Sequence, residues 1–266
     1  MLPQEHLIAR VREVCAADER LVAALTYGSF AQGVGDVHSD IEYWLFFRSE
    51  SVATLDKAAW LADVAPFRYS VVNEFGSQVV FYPGVIRGEF HFATGDDIAS
   101  VATWPALSAP IDRMIVLDRT GELRRALSTL PASPHLPTGS AEIDELCGRF
   151  ANWLVLAQHV ACRGELLRAV DALGHARRHL LWMARLAEDQ TGTWLTPSRR
   201  AETDLSVETI SDLVATTSTA SPGAVSQAIA ATWSSGRAHW LHLAAREGFE
   251  VPAGLFADLD SVLLRG

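Results

Sequence analysis

Apolar positions recur along this chain with two different spacings, and the change in spacing divides the chain in two. Up to about residue 130, short helical patterns alternate with short apolar runs that are typical of strands. Helices are predicted over residues 4–17 and 54–64. Strands are predicted over residues 20–26, 41–47, 68–73, 78–82, 85–92 and 113–117. The turn-forming pair Pro83-Gly84 predicts that the fourth and fifth of these strands form a hairpin.

Beyond residue 140 the pattern becomes helical throughout. Residues 131–140 (PASPHLPTGS) contain three prolines and a glycine, which predicts a linker. Two long apolar stripes follow, and helical patterns then cover residues 207–214, residues 223–247 and the C-terminal end. The sequence therefore predicts an α+β fold. A domain with a small mixed sheet and helices (1–130) precedes a bundle of four or five helices (141–266).

Composition argues against a nucleic-acid-binding protein and against a membrane-spanning protein. Acidic residues outnumber Lys and Arg by 32 to 22, the net charge is −10, and Lys57 is the single lysine, so a basic face for nucleic acid is not expected. The widely spaced Cys15, Cys147 and Cys162 predict free thiols in a reducing compartment. The N-terminal segment MLPQEHLIARVREV is charged throughout, and no run approaches the ~18 apolar residues of a membrane span. We therefore expect a cytoplasmic protein with no nucleic-acid or membrane partner.

A strand that ends in glycine and serine suggests a phosphate site. The predicted strand over residues 20–26 leads into Gly28, whose missing side chain would let a phosphate approach the backbone. Ser29 adds a hydroxyl and an amide at the predicted start of a short helix, where the first amides are unpaired. Gly28 and Ser29 are therefore candidate nucleotide-binding residues.

Three acidic residues in strand patterns suggest a metal site. Asp40 and Glu42 are separated by one residue, so they share one face of a strand. Two carboxylates held side by side repel each other and lose hydration, and Mg²⁺ relieves both penalties. Glu89, on another predicted strand, would complete the site. Gly-Ser or Asp-x-Glu alone is common in turns and edge strands, but both together at this spacing favour a metal-bound nucleoside triphosphate.

Other polar residues have simpler interpretations. His91 lies two residues after Glu89 and would share its face, where a structural role is the simplest interpretation. The helical half carries polar and aromatic residues that fit helix surfaces or a bundle core and that could also wall an acceptor pocket: Trp153, His159, Arg163, Arg168, His175, His179, Trp182, Trp194, Trp233 and Trp240.

Four motifs resemble those of a known enzyme family. They are YGSFAQG (27–33), SDIE (39–42), NEFG (73–76) and IRGEFHF (86–92). Together they resemble lincosamide nucleotidyltransferases, antibiotic-resistance enzymes of the DNA polymerase β-type nucleotidyltransferase superfamily. The resemblance covers most of the N-terminal half, whereas the helical half is similar in length and texture.

The resemblance implies a role for each candidate residue. Asp40 and Glu42 would bind Mg²⁺, and Gly28 and Ser29 would bind the triphosphate of ATP. Glu89 would act as the catalytic base. Glu42 departs from the wider superfamily, in which aspartate is common at this position. The resemblance also implies a homodimer with the active site near the subunit interface.

The expected reaction is Mg²⁺-dependent transfer of AMP from ATP to a hydroxyl of lincomycin or clindamycin, with release of pyrophosphate. One alternative is a nucleotidyltransferase with the same core that acts on aminoglycosides or other small molecules. A polycationic aminoglycoside would require extra carboxylates, and acidic residues are few in the two longest helical patterns. The other alternative is a non-enzymatic, antitoxin-like nucleotidyltransferase domain. The three carboxylates and the separate helical half argue against it.

Overall fold

The computed structural model describes residues 1–264 and divides the chain into two compact units, Met1–Pro134 and His135–Gly266. Unit 1 contains a mixed sheet with helices, and unit 2 is helical. The predicted α+β fold class is therefore confirmed. The boundary between the units falls in the proline-rich segment 131–140. Within residues 1–264, no helix combines the length and the apolar character needed to cross a lipid bilayer.

Unit 1 is built from six strands and six α-helices. The strands are β1 (Leu21–Thr26), β2 (Ile41–Phe47), β3 (Tyr69–Val72), β4 (Gln78–Tyr82), β5 (Ile86–Thr94) and β6 (Ile115–Asp118). The helices are α1 (Pro3–Ala17), α2 (Gly28–Gln32), α3 (Ser49–Val52), α4 (Lys57–Val64), α5 (Ile111–Met114) and α6 (Glu122–Leu127). A 3₁₀ helix covers Gly95–Thr103.

The strands form one sheet in the order β3-β4-β5-β2-β1-β6. The two middle strands, β5 and β2, run parallel, and the other neighbours pair antiparallel. The hairpin predicted at Pro83-Gly84 is the β4–β5 pair. Both faces of the sheet carry apolar residues, because helices cover each of them.

Two apolar clusters pack against the two faces. On one face, Tyr43 and Phe90 stack with ring centroids 5.4 Å apart. They belong to a cluster completed by Val11 of α1 and Trp60 of α4. On the other face, Phe46 belongs to a second cluster, which residues of the 3₁₀ helix, α5 and α6 complete. The two clusters hold β2 on both sides and so fix its register.

Unit 2 consists of α7 (Gly139–Cys162), α8 (Leu166–Ala187), α9 (Ala201–Asp204), α10 (Val207–Ala215), α11 (Pro222–Glu247) and α12 (Ala253–Leu263). The long helices α7, α8 and α11 pack against one another around a single apolar core. Phe150 of α7 lies so close to Gly236 of α11 that a Cβ at position 236 would overlap its ring. This close approach explains a glycine inside a long helix.

Some elements differ from those that the apolar pattern predicts. The helix predicted over residues 54–64 begins at Lys57, because the Asp56 side chain caps it by accepting a hydrogen bond from the Ala59 amide at 2.9 Å. The strand predicted over residues 113–117 begins at Ile115, because the preceding residues form the short helix α5 after Pro110. The 3₁₀ helix and α6 are additional elements that the pattern did not predict.

A buried arginine holds together the irregular segment between α8 and α10. Arg185 has no exposed side-chain surface. Its guanidinium donates to the carbonyls of Pro197 at 2.6 Å, Gln190 at 2.8 Å and Arg199 at 2.7 Å. It also lies 3.5 Å from the carboxylate of Asp204. One side chain therefore satisfies three carbonyls that lie outside regular helices.

Substitution of Arg185 should destabilise unit 2. Arg185→Met removes the donor and leaves buried carbonyls unsatisfied, so we expect the free energy of unfolding to fall by about 3 kcal/mol or more. Calorimetric melting should show a lower Tm. The control is Arg168→Met on the same helix, because Arg168 is 60% exposed and its ion-pair partner, Glu165, is also exposed. Equal losses in both variants would contradict the role assigned to Arg185.

Candidate active site

The parallel pairing of β2 with β5 brings predicted carboxylates together. Glu42 on β2 lies directly opposite Glu89 on β5 in the ladder. Neighbouring strands are about 4.8 Å apart, so the two side chains emerge side by side. Asp40 lies immediately before β2, and its carboxylate reaches Arg87 of β5. The structure therefore gathers Asp40, Glu42 and Glu89 at one end of the two middle strands.

The predicted nucleotide-binding residues lie beside Glu42. Gly28 begins α2 with a φ of +74°, and a Cβ at this position would overlap the Glu42 carboxylate. A glycine is required on both counts. The carbonyl of Glu42 accepts hydrogen bonds from the Thr26 hydroxyl at 3.0 Å and from the Tyr27 amide at 3.3 Å. The end of β1 thus holds Gly28 and Ser29 next to the carboxylates.

An arginine that the sequence patterns did not single out bridges two of the carboxylates. Nη1 of Arg87 lies 2.6 Å from Oδ2 of Asp40, and Nη2 lies 2.6 Å from Oε2 of Glu89. The side chains are partly exposed, at 33% for Arg87, 37% for Asp40 and 16% for Glu89. Arg87 therefore supplies the positive charge that keeps two carboxylates close together.

Glu89 is also held from the opposite side. Its Oε1 accepts a hydrogen bond of 2.8 Å from the hydroxyl of Ser77, which is fully buried. Ser77 is positioned by Asn73, whose side-chain oxygen accepts from the amides of Phe75 and Ser77 at 3.1 and 3.0 Å. Burial tends to raise the pKa of Glu89, but the hydrogen bonds from Ser77 and Arg87 hold that pKa below its ordinary value. Glu89 is therefore a carboxylate at neutral pH.

A layer of aromatic rings lies next to the carboxylates on the same face of the sheet. Trp44 and His91 follow Glu42 and Glu89 by two residues, and their rings stack 4.1 Å apart with 1° between their planes. The hydroxyl of Tyr27 lies 3.2 Å from Nε2 of His91. Burial lowers the pKa of His91, although the negative charge of Glu89 opposes this shift. His91 is therefore neutral at physiological pH and packs as part of this layer.

The residues present fit a divalent cation. Carboxylate oxygens are hard ligands of the kind that Mg²⁺ prefers. Within the described residues 1–264, no three acidic, histidine or cysteine side chains are gathered closely enough to form a ready-made metal cluster. The guanidinium of Arg87 lies between Asp40 and Glu89, and the Glu42 carboxylate is turned against Gly28. The candidate ligands therefore lie on neighbouring backbone positions, but their carboxylates contact Arg87 and Gly28 rather than converging on one point.

Sequence reasoning missed Arg87 and Ser77 as members of the site. A signal for Arg87 was present, because it precedes Glu89 by two residues on a strand and must share its face. Ser77 had no such signal, since its contact with Glu89 depends on the conformation of the turn between β3 and β4.

Unit 2 contains a cavity of about 290 Å³ whose lining is aromatic and charged. The lining residues are His135, Pro137, Glu142, Glu145, Leu146, Arg149, His179, Trp182 and Trp194. Of the residues predicted as possible pocket walls, Trp182, Trp194 and His179 line this cavity, and Trp153, His159, Arg163, Arg168, His175, Trp233 and Trp240 do not.

Both glutamates of this cavity have side-chain partners. His135 lies 3.0 Å from Glu142, and Arg149 pairs with Glu145. Trp182 is fixed in orientation because its indole nitrogen donates to the carbonyl of Trp194 at 2.8 Å. The cavity therefore offers an indole face, and its two glutamates already accept hydrogen bonds from neighbouring groups.

Comparison with solved structures finds distant likenesses to nucleotide-transferring proteins. An aminoglycoside 6-adenyltransferase from Bacillus subtilis is 13% identical, with 97% of this chain and 95% of that chain covered and a TM-score of 0.46. A nucleotidyltransferase-like protein from Exiguobacterium sibiricum is 11% identical, with coverages of 98% and 88% and a TM-score of 0.38. No curated protein matches the chain.

The family comparison finds a match in the helical half of the chain. Residues 139–261 match the model described as "Lincosamide nucleotidyltransferase-like, C-terminal domain". The matched segment begins at the first residue of α7 and includes all or most of each helix of unit 2. The match to the family model thus lies in the helical half, whereas the candidate carboxylates Asp40, Glu42 and Glu89 lie in the N-terminal half. The helical half is therefore similar to the C-terminal domain of lincosamide nucleotidyltransferase-like proteins, and this similarity confirms the predicted resemblance.

Proposed function

We propose that the chain catalyses Mg²⁺-dependent transfer of AMP from ATP to a hydroxyl of a lincosamide such as lincomycin or clindamycin, with release of pyrophosphate. We also propose that it acts as a homodimer, as the resemblance implies. One observation carries the nucleotidyl-transfer part of the proposal. The parallel ladder sets Glu42 opposite Glu89, with Asp40 at the same end and Gly28 packed against Glu42.

The roles of the residues follow from this geometry. Asp40 and Glu42 would hold Mg²⁺, which when bound would offset the negative charge of the triphosphate and of the departing pyrophosphate. Gly28 lets the phosphates approach the backbone, and Ser29 offers a hydroxyl beside them. Gly28 and Ser29 lie next to Glu42, so the phosphates of ATP would bind beside the metal ligands.

Glu89 is the proposed base. It is a carboxylate at neutral pH, and it takes the proton of the acceptor hydroxyl. The hydroxyl oxygen then bonds to the α-phosphorus of ATP. The bond between that phosphorus and the oxygen that links it to the β-phosphate breaks, and its electron pair leaves with pyrophosphate.

The cavity of unit 2 is the proposed binding site for the acceptor. A lincosamide is a thio-sugar joined through an amide to a propyl-proline, so it has apolar faces that suit the rings of Trp182 and Trp194. A polycationic aminoglycoside would need unpaired carboxylates. Glu142 and Glu145 already pair with His135 and Arg149, which favours the lincosamide.

Removal of a metal ligand should abolish turnover. We expect Asp40→Asn or Glu42→Gln to lower kcat by about 10³-fold or more, because a neutral side chain cannot anchor Mg²⁺ against the triphosphate. Pyrophosphate release with ATP and lincomycin measures the loss. Glu50→Gln, an exposed neutralisation in the same unit, is the matched control. Turnover at the wild-type rate in either variant would show that the metal site is assigned wrongly.

Loss of the base should affect chemistry more than nucleotide binding. Glu89→Gln keeps the size of the side chain, so we expect kcat to fall by about 10²–10⁴-fold while the KM for ATP changes little. Steady-state kinetics at saturating lincomycin separates the two parameters. A large loss of ATP affinity with nearly unchanged kcat would instead make Glu89 a metal ligand only.

The acceptor assignment predicts a clear preference among antibiotics. Lincomycin and clindamycin should be turned over, and kanamycin and gentamicin should be poor substrates or inactive. Trp182→Leu should raise the KM for lincomycin about tenfold without changing the KM for ATP, because it removes an aromatic wall of the cavity. Trp153→Leu is the matched control, since Trp153 stacks on His175 and does not line the cavity. Rapid turnover of kanamycin with none of lincomycin would overturn the acceptor assignment.

A further inference from the structure

Arg87 occupies carboxylate oxygens that the proposed metal and the proposed reaction would need. The guanidinium bridges Asp40 and Glu89 through two contacts of 2.6 Å. Asp40 is a proposed metal ligand and Glu89 the proposed base. Arg87 occupies Oδ2 of Asp40 and Oε2 of Glu89, so it competes for these oxygens with a metal ion and with the proton of an acceptor hydroxyl. The Glu89 oxygen that does not contact Arg87 already accepts from Ser77.

The position of Arg87 is imposed by the sheet. Arg87 and Glu89 are two residues apart on β5, and Ile41 pairs with Gly88, so Arg87 faces the residue that precedes Ile41. That residue is Asp40. The guanidinium therefore lies between two carboxylates that would otherwise repel each other, and its positive charge offsets that repulsion.

Arg87 can release Asp40 and Glu89 when another partner is available for its guanidinium. All three side chains are partly exposed, and ion pairs of this kind are held only weakly. An arginine released from two carboxylates needs another partner with several acceptor oxygens, and a phosphate group matches the guanidinium fork in the same bidentate way. A nucleoside triphosphate brings both the metal and the phosphates that can accept the released side chain.

We propose that Arg87 pairs with Asp40 and Glu89 until a metal–nucleoside triphosphate arrives, and then transfers its guanidinium to the phosphates. The metal alone competes with Arg87 for the carboxylates and binds weakly. The metal with nucleotide binds well, because the displaced guanidinium gains a partner. This inference rests on the proposed function, since it uses the same metal and nucleotide site.

Two opposite shifts in affinity distinguish this role from a structural one. In Arg87→Met, Mn²⁺ alone should bind more tightly than in the wild type, because its competitor is gone. The same variant should bind a non-hydrolysable ATP analogue more weakly at saturating Mn²⁺, because the phosphates lose a partner. A residue that merely supports the fold would weaken both or change neither.

The experiment uses the full chain and Mn²⁺ as the metal probe. Free Mn²⁺ is measured by electron paramagnetic resonance during titration, with and without α,β-methylene-ATP, and circular dichroism checks folding. We expect Arg87→Met to tighten Mn²⁺ binding in the absence of nucleotide by about tenfold, within the 5–150-fold range of typical site couplings. Arg87→Lys should give a smaller increase, because an ammonium cannot bridge both carboxylates.

Arg20→Met is the matched control for net charge. Arg20 lies in the same unit and pairs with Asp18 at 2.8 Å, so its loss should leave Mn²⁺ affinity unchanged. If Arg87→Met does not fold, the Arg87→Lys variant decides. Unchanged or weaker Mn²⁺ binding in the folded Arg87 variants, or unchanged affinity for the analogue, would overturn the role of Arg87. A wild-type chain that binds no Mn²⁺ even with the analogue would instead overturn the proposed function itself.

Discussion

The register of the β2–β5 ladder is the constraint on which the candidate site depends. On one face of these strands, Tyr43 and Phe90 are fully buried and stack within the apolar core. On the other face, the neighbouring ladder positions hold the pair Glu42 and Glu89. A slip of one residue would turn the acids into the core and the aromatic rings outward, at a prohibitive cost in free energy. Burial of the aromatic residues therefore determines where the carboxylates stand.

The second constraint is electrostatic repulsion among the carboxylates of Asp40, Glu42 and Glu89, which the fold must offset. Arg87 pairs with Asp40 and Glu89, and Ser77 donates to the Glu89 oxygen that Arg87 does not contact. These partners come from β5 itself and from the turn before β4, so the site draws on segments that are distant in sequence. The arrangement holds acidic groups close together on a partly exposed face of the sheet.

Local patterns predicted much of the fold and the positions of the acids. The bounds of β2 and β4 agree with the predicted strands, because each is a compact apolar run between turn-forming residues. Strand alternation also placed Asp40 and Glu42 on one face. The parallel pairing of β2 with β5 could not be predicted, since no local signal determines which strands become neighbours. The short helices α5 and α6 were missed for a similar reason, because burial of Met114 and Leu123 stabilises them and their own patterns are brief.

The identity of the by-product tests the central claim most directly. Phosphorus-31 nuclear magnetic resonance of the chain with magnesium ATP and lincomycin distinguishes pyrophosphate from ADP, and mass spectrometry of the antibiotic identifies the group that it gained. The three carboxylates beside Gly28 and Ser29 predict one pyrophosphate for each lincomycin that gains an adenylyl group. Formation of ADP with a phosphorylated antibiotic, or an unchanged antibiotic with no pyrophosphate, would contradict nucleotidyl transfer to a lincosamide at this site.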